Sequence, residues 1–330
     1  MILTKAPFRA SFIGGGSDYP SIFNFNDGAV LSCTLNLHVY TVVLPLAEHA
    51  TEKIRFTYHK SESVKDIAAL EHPTVREALL KYGWTDPINI ATFADVPALT
   101  GLGGSSSFLV SLILALHETK GEITTPEQLA MSAIDIERNR CAEYGGWQDQ
   151  FSAAFGGMRV YKFKSSGVEV SKNILDAAAL EAISNSCFLT PLKLSRKTDN
   201  AAMTEIKLRS STESKEAAIA GGRRALEVAS YLDSSLTAEE IVAILGDTVN
   251  YSQDLKNAFS ENNDQVDEMC KKAKSAGSTG SKILGAGGGG YILSIVPKKL
   301  TGKFKAEMTG LGTFNPGFSV NGAAKSKINW

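Results

Sequence analysis

The stretch from Asp95 to Leu116, DVPALTGLGGSSSFLVSLILAL, most limits the folds open to this chain. It closes a short apolar segment, bends through a glycine-rich turn and then opens a helix. Pro97 fixes its own backbone angle and Gly101, Gly103 and Gly104 lack a Cβ, so the turn can bend sharply and bring main-chain amides against a ligand. Ser105, Ser106 and Ser107 follow at the expected helix start, where the first N–H groups have no helical partner and the macrodipole is positive. Such a place accepts a phosphate without needing a lysine. The helix is apolar nearly all round, with Leu109, Leu112, Ile113 and Leu116 at helical spacing and Phe108, Val110 and Leu114 on other faces, so it is expected to be buried. A glycine turn leading into an ordinary core helix would give the same pattern.

At 330 residues the chain is long for one domain and is expected to form two lobes, 1–184 and 185–330, with the boundary where charged, serine-rich sequence ends near Ser184. Lys plus Arg total 34 against 35 for Asp plus Glu, so the chain offers no field for nucleic acid or an anionic membrane, and a small molecule is the expected partner. The apolar run Phe108 to Leu116 is about half of what a bilayer span needs. Cys33, Cys141, Cys187 and Cys270 stand far apart with no C-x-x-C pair, which argues against structural zinc and against a disulfide framework. The N-terminal segment MILTKAPFRASF reads as a first strand instead of a leader, and the cytoplasm is the expected compartment.

Residues 2–13 read as that strand, broken by Gly14, Gly15 and Gly16 before Ser17, Asp18 and Tyr19. Gly28 to Leu44 is β-rich, and Ile54, Phe56 and Tyr58 alternate with polar residues as on a half-buried strand. Tyr58 and His59 are candidate contacts for a base, or simply an exposed strand end. Thr125, Pro126 and Gln128 spell a capped helix start, followed by Leu129, Ala133 and Ile136 on one face. Glu137 borders that face and reads either as a rim salt bridge with Arg138 or Arg140 or as a metal ligand. Further on, EYGGWQDQFSAAFGG carries Asp149 just after the Gly145–Gly146 break.

Met158 to Phe163 and Cys187 to Thr190 read as strands, and Lys193, Ser195, Arg196 and Lys197 form a local basic group that is a solvated loop or a phosphate contact. Helical patterns then run from Glu213 to Tyr231, after the Thr237 cap with Glu240 three later, and through Val266, Met269, Cys270 and Ala273. In SKILGAGGGGYILSIVP, Gly285, Gly287 and Gly290 fit G-x-G-x-x-G, but the run precedes a strand, Tyr291 to Val296, and opens no helix, which excludes a dinucleotide fingerprint. Four consecutive glycines need a reason such as close approach of another backbone, the alternative being a bulged hairpin turn. No G-x-x-x-x-G-K-[ST] is present, which excludes the P-loop class.

Three glycine-rich segments in this order, APFRASFIGGGSDY, PALTGLGGSSS and KILGAGGGG, resemble the motifs of the GHMP kinases, the family of galactokinase, homoserine, mevalonate and phosphomevalonate kinases. The resemblance spans nearly the whole chain. It implies a two-lobed α+β fold, a β-rich N-lobe with helices and a ferredoxin-like C-lobe, with ATP in the cleft between them. It implies that Gly101, Leu102, Gly103, Gly104, Ser105, Ser106 and Ser107 hold the ATP phosphates and that Ser105 and Glu137 coordinate Mg²⁺. Ser106 is the alternative to Ser105, because Gly104 stands where the family usually has serine. Asp149 would be the base that takes the substrate hydroxyl proton, and Arg9 would polarise the site.

Within the family, GGGSDY, IERNRCAEYGGWQDQFSAAFGG and LGAGGGGYI look most like the D-glycero-D-manno-heptose 7-phosphate kinases, which phosphorylate an anomeric hydroxyl. The substrate would then meet Gly15, Gly16, Ser17, Asp18, Gly146, Arg196, Gly287 and Gly288, with Arg196 on its existing phosphate. Leu192, Lys193 and Leu194 stand where those kinases tend to carry a glycine and an arginine, so the reaction type is better specified than the sugar. The alternatives are a kinase of a non-phosphorylated, fucose- or galactose-like sugar or of a mevalonate-type alcohol, and a non-catalytic sugar or ATP sensor. A homodimer is left open.

Overall fold

The computed structural model describes residues 1–47, 51–98, 100–192, 200–258, 264–285 and 290–326. Strand β1 (Ile2–Ile13) lies antiparallel to β2 (Gly28–Pro45), an 18-residue strand that serves two neighbours on its other edge. The hairpin of β3 (Ile54–Thr57) and β4 (Ser61–Val64) joins through parallel pairing of β3 with β5 (Ile88–Ala94), and β5 runs along Val39–Pro45. Residues 28–33 of β2 instead take β6 (Met158–Lys164), whose far edge holds β7 (Gly167–Val170). The split occurs where β2 is bulged: Pro7 pairs with His38 but Arg9 with Thr34, leaving Leu35, Asn36 and Leu37 unmatched.

Helices α3 (Gly104–Lys120) and α5 (Gln148–Phe155) pack on β1 and β2, α4 (Pro126–Ile134) packs on both of those helices, and α1 (Pro20–Phe23) and α2 (Pro73–Lys81) lie in the connections. Every residue of α3 from Ser106 to Leu116 is buried, as its apolar sequence predicts. At about 1.5–3 kcal/mol for each large apolar side chain, that burial makes α3 a rigid mount. The Thr125 capping box starts α4 as the sequence indicates, with Gln128 answering Thr125.

The second sheet is antiparallel: β10 (Gly290–Ile295) lies between β8 (Cys187–Leu192) and β9 (Gly280–Ile283), and a bridge from Leu189 to Phe314 adds a fourth segment beside β8. The resulting order, Phe314 segment, β8, β10, β9, is that of the ferredoxin-like fold. Helices α9 (Ala238–Lys256) and α10 (Asp264–Ala276) pack on β9 and β10, and Phe304 of α11 (Thr301–Met308) meets Phe188 of β8, while α6 (Ala177–Ser184) lies on α9, α8 (Thr212–Tyr231) bridges α9 to β1 and β2, and α7 (Asn200–Ser210) lies on α8. The chain end then crosses back. Ser319 donates from its amide to the Thr34 carbonyl in the β2 bulge (2.9 Å), and β11 (Ala324–Lys325) pairs with β1.

One continuous core joins Phe8, Phe12, Leu31 and Leu112 of the first sheet region to Leu189, Leu245, Leu284 and Leu293 of the second. No helix among the described residues is long and apolar enough to cross a membrane.

Candidate active site

The glycine turn before α3 has the backbone its sequence requires. Gly101 (φ +77°) and Gly103 (φ +79°) are left-handed, and Gly103 caps α3 without a side chain, so the helix's first amides have no side-chain acceptor. The turn is fastened to β1 from both sides: the Arg9 amide donates to the Leu102 carbonyl (3.1 Å), and the Ser107 hydroxyl donates to the Pro7 carbonyl (2.8 Å). Ser107 therefore departs from its expected place beside the phosphates. Its amide closes the first turn on the Gly103 carbonyl (2.9 Å), and both its polar groups are spent inside the protein. The Leu102 side chain is likewise fully buried.

Leu284, Gly285 and Gly290, the described ends of the third glycine segment, are pressed on this turn. A Cβ on Gly101 would sit 2.7 Å from the Leu284 carbonyl oxygen, one on Gly285 2.5 Å from the Gly101 Cα, and one on Gly290 2.1 Å from the Thr100 carbonyl oxygen. Close backbone approach accounts for these glycines, and the segment is also the connection of the β9–β10 hairpin. Gly287 and Gly288 lie outside the described residues, as do Lys193, Ser195, Arg196 and Lys197.

Arg9 and Asp149 form a bidentate ion pair against the turn. Arg9 Nε donates to Asp149 Oδ1 (2.7 Å), Nη2 to Oδ2 (2.8 Å), and Nη1 to the Gly101 carbonyl (2.7 Å). Arg9 is buried, while the Asp149 side chain keeps 23% of its surface exposed. A Cβ on Gly103 would lie 3.1 Å from Asp149 Oδ2, so the carboxylate rests directly on the glycine turn.

Glu137 comes from a wide, π-type turn, Asp135–Arg140, that continues α4. It is 1% exposed and makes no rim salt bridge among the described residues. Ser105 donates to Oε1 (3.1 Å), Ser106 to Oε2 (3.0 Å), and the Gln150 amide also donates to Oε2. Arg138 instead donates to the carbonyls of Tyr144 (2.9 Å) and Gly146 (3.1 Å), and Arg140 stands near Glu77 and Asp135. One carboxylate with one accessible hydroxyl suits Mg²⁺, which binds through one or two carboxylates plus the substrate's phosphates. Ser105 is exposed and Ser106 buried.

The first glycine turn is mostly internal. Gly14 (φ +97°) and Gly16 (φ +99°) are left-handed and only Gly15 of residues 14–19 is half-buried, the others being buried. Ser17, expected at the substrate, is a scaffold residue. It is fully buried, lies 2.7 Å from the Gly14 carbonyl and accepts from the Ala29 amide (3.0 Å). Asp18 is also fully buried, accepting from the Gly16 amide (3.0 Å), the Gln148 amide (3.2 Å) and Gln148 Nε2 (3.1 Å). Burial pushes its carboxyl above the ordinary aspartate range and the Asp149 charge adds to this, partly offset by those hydrogen bonds. Gly146 permits the contact, since a Cβ there would fall 1.9 Å from Asp18 Oδ2. So the expected Asp18 contact is, in this structure, a tie behind the site wall.

Sequence reasoning missed several residues. Gln150 anchors Glu137, and Gln148 orients Asp18. Ser11 Oγ and Gln148 Oε1 are buried without a protein partner among the described residues, and both residues flank Gly15, whose Cβ position lies 4.0 Å from Ser11 Oγ and 3.5 Å from Gln148 Nε2. Lys282, inside the third motif, is 4% exposed and reaches β1. The candidate base contact Tyr58 stacks on Phe56 (4.7 Å between ring centres) and meets exposed His59 edge-on, with Phe108 of α3 on the far side of Phe56 (6.0 Å).

Residues 67–157 match the GHMP kinases N terminal domain and residues 238–308 the GHMP kinases C terminal domain. The chain is 26% identical over 323 residues, 92% of each protein, to D-glycero-alpha-D-manno-heptose 7-phosphate kinase of Campylobacter jejuni. It is 25% identical over 321 residues, 88% of this chain and 29% of the relative, to a bifunctional fucokinase/GDP-fucose pyrophosphorylase of Arabidopsis thaliana. The fold is shared with a D-glycero-D-manno-heptose 1-phosphate kinase from Bacteroides thetaiotaomicron (TM-score 0.78, 21% identity, 100% of both chains). It is shared too with the galactose complex of Lactococcus lactis galactokinase (TM-score 0.71, 15% identity, 98% of this chain and 95% of that one).

Proposed function

Starting from the chain's membership of the GHMP kinase superfamily, as a sugar kinase using ATP, we propose that it phosphorylates the anomeric hydroxyl of a sugar phosphate, D-glycero-D-manno-heptose 7-phosphate, giving the 1,7-bisphosphate. One arrangement carries the reading: a partly exposed carboxylate, Asp149, held by Arg9 against the amide-lined start of α3. The amides of Gly104, Ser105 and Ser106 donate to phosphate oxygens of ATP, and Asp149 accepts the proton of the attacking hydroxyl as its bond to the γ-phosphorus forms and the bond from that phosphorus to the departing ADP oxygen breaks. A loose phosphoryl transfer depends on positioning and charge more than on a strong base. Arg9 keeps Asp149 aimed and holds positive charge beside the transferred group.

Glu137 and Ser105 would hold Mg²⁺, with Ser106 and Gln150 orienting the carboxylate. The ion, when bound, neutralises charge on the phosphate oxygens. Ser11 Oγ and Gln148 Oε1 beside Gly15, without a partner among the described residues, suit a substrate rich in hydroxyls, and Arg196 takes its existing phosphate.

The names of the two heptose relatives place the existing phosphate differently, at carbon 7 in one and carbon 1 in the other. The deciding experiment is therefore a panel of heptose 7-phosphate, heptose 1-phosphate, fucose, galactose and mevalonate with ATP, with the new phosphate located by phosphorus NMR. Turnover of heptose 7-phosphate at carbon 1 supports the proposal. Preference for any other acceptor, or nucleotide binding with no turnover, overturns it.

A further inference from the structure

Lys282 is a buried ammonium with no carboxylate partner among the described residues. From β9 its Nζ donates to the carbonyls of Ser11 (3.0 Å) and Phe12 (3.2 Å) of β1 and to the Ser252 hydroxyl (2.7 Å) of α9, so all three N–H groups have acceptors. The site of attachment is specific. The β1–β2 register slips between Ser11 and Ile13, where Phe12 has no Cα partner, and a bulge leaves main-chain groups in need of other partners. Ser11 follows Arg9 by two residues on the same face of β1, with regular pairing between them (Arg9 to Thr34, Ser11 to Ser32).

The same short segment reaches the rest of the site. Leu284 and Gly285 press on Gly101, whose carbonyl receives Arg9 Nη1, and Lys256 of α9 donates to the carbonyls of Ile283 (3.0 Å) and Gly285. An ammonium buried near a second cation, Arg9, is an expensive way to fill space, and an apolar side chain of equal length would fill it at lower cost.

We propose that Lys282 is a positioning residue: by holding the Ser11 and Phe12 carbonyls it fixes the end of β1, and with it the Arg9 guanidinium that aims Asp149. This rests on the kinase reading above for its catalytic consequence, though not for the tie itself. The test is Lys282→Met in the full chain, followed by thermal unfolding, steady-state kinetics with the best substrate of the panel, and hydrogen exchange over residues 9–18. The expected result is a 10- to 100-fold fall in kcat, a KM for ATP within threefold of the wild type, faster exchange over 9–18, and an unfolding midpoint equal to or above the wild type.

An unchanged kcat, or a fall in kcat that merely accompanies a lowered midpoint, overturns the proposal. If Lys282→Met does not fold, Ser252→Ala, which removes one acceptor, takes its place: faster exchange over 9–18 with a smaller loss of kcat supports the assignment, and no change in either overturns it. A wild-type protein that turns over no sugar defeats the kinase reading alone, because exchange over 9–18 still reports on the tie.

Discussion

Asp149 has its direction fixed by one neighbour and its depth by another: Arg9 grips both carboxylate oxygens, and Gly103 lets them rest on the turn. Asp149→Asn keeps the size and loses the proton acceptor, so kcat should fall by about 10²–10⁴ while ATP affinity stays within a few fold. Steady-state rates beside nucleotide titrations check this, and an Asn variant with normal turnover would take Asp149 out of the chemistry. Lys282 gives a pH prediction with a definite sign. Burial, with Arg9 nearby, lowers its ammonium from 10.5 to about 7 in the folded protein. Between those values the unfolded chain holds the extra proton, so this group's contribution to stability rises with pH. The stability of the wild type relative to Lys282→Met should thus be flat below about pH 7 and increase from there towards pH 10.5. Urea unfolding at stepped pH measures it, and a difference that stays constant across the window contradicts the assignment.

The elements around the site divide into those held by local signals and those held by distant ones. Thr125→Ala removes a capping-box residue and should cost about 1 kcal/mol of stability with little change in turnover. Gly290→Ala, at φ +120° and 2.1 Å from a main-chain oxygen, should cost more than ~2 kcal/mol and weaken ATP binding as well. Thermal melts and nucleotide titrations of the two variants separate the cases. The same division explains what could be read from the sequence. Strand β1, the two capping boxes and helix α8 announce themselves through alternation, cap residues and periodicity within a few positions. The Asp135–Arg140 turn does not, because widening a helix from i→i+4 to i→i+5 leaves no mark in composition, yet it carries Glu137 inward, away from Arg138 and Arg140. Nor does Lys282, whose acceptors on β1 lie 271 and 270 positions away in the chain. The Gly-Ser turn indicated an anion site, while the inward faces of Ser17, Asp18 and Ser107 became visible only once the neighbouring strands were in place.

At the scale of the whole molecule the C-terminal tail couples both sheets, with Phe314 on β8, Ser319 in the β2 bulge and Ala324–Lys325 on β1. Deleting everything after Gly312 should therefore lower the calorimetric midpoint, while the continuous core keeps the two sheets unfolding together. A single transition at the original temperature would refute that coupling. The meeting of Thr100 and Gly101 with Leu284, Gly285 and Gly290 has a different consequence. Because an added methyl there would strike peptide atoms on the opposite loop, no trimmed side chain elsewhere can make room for it. A suppressor screen begun from Gly101→Ala or Gly290→Ala should return revertants and almost nothing else, and sequence drift along either loop is confined to a narrow corridor.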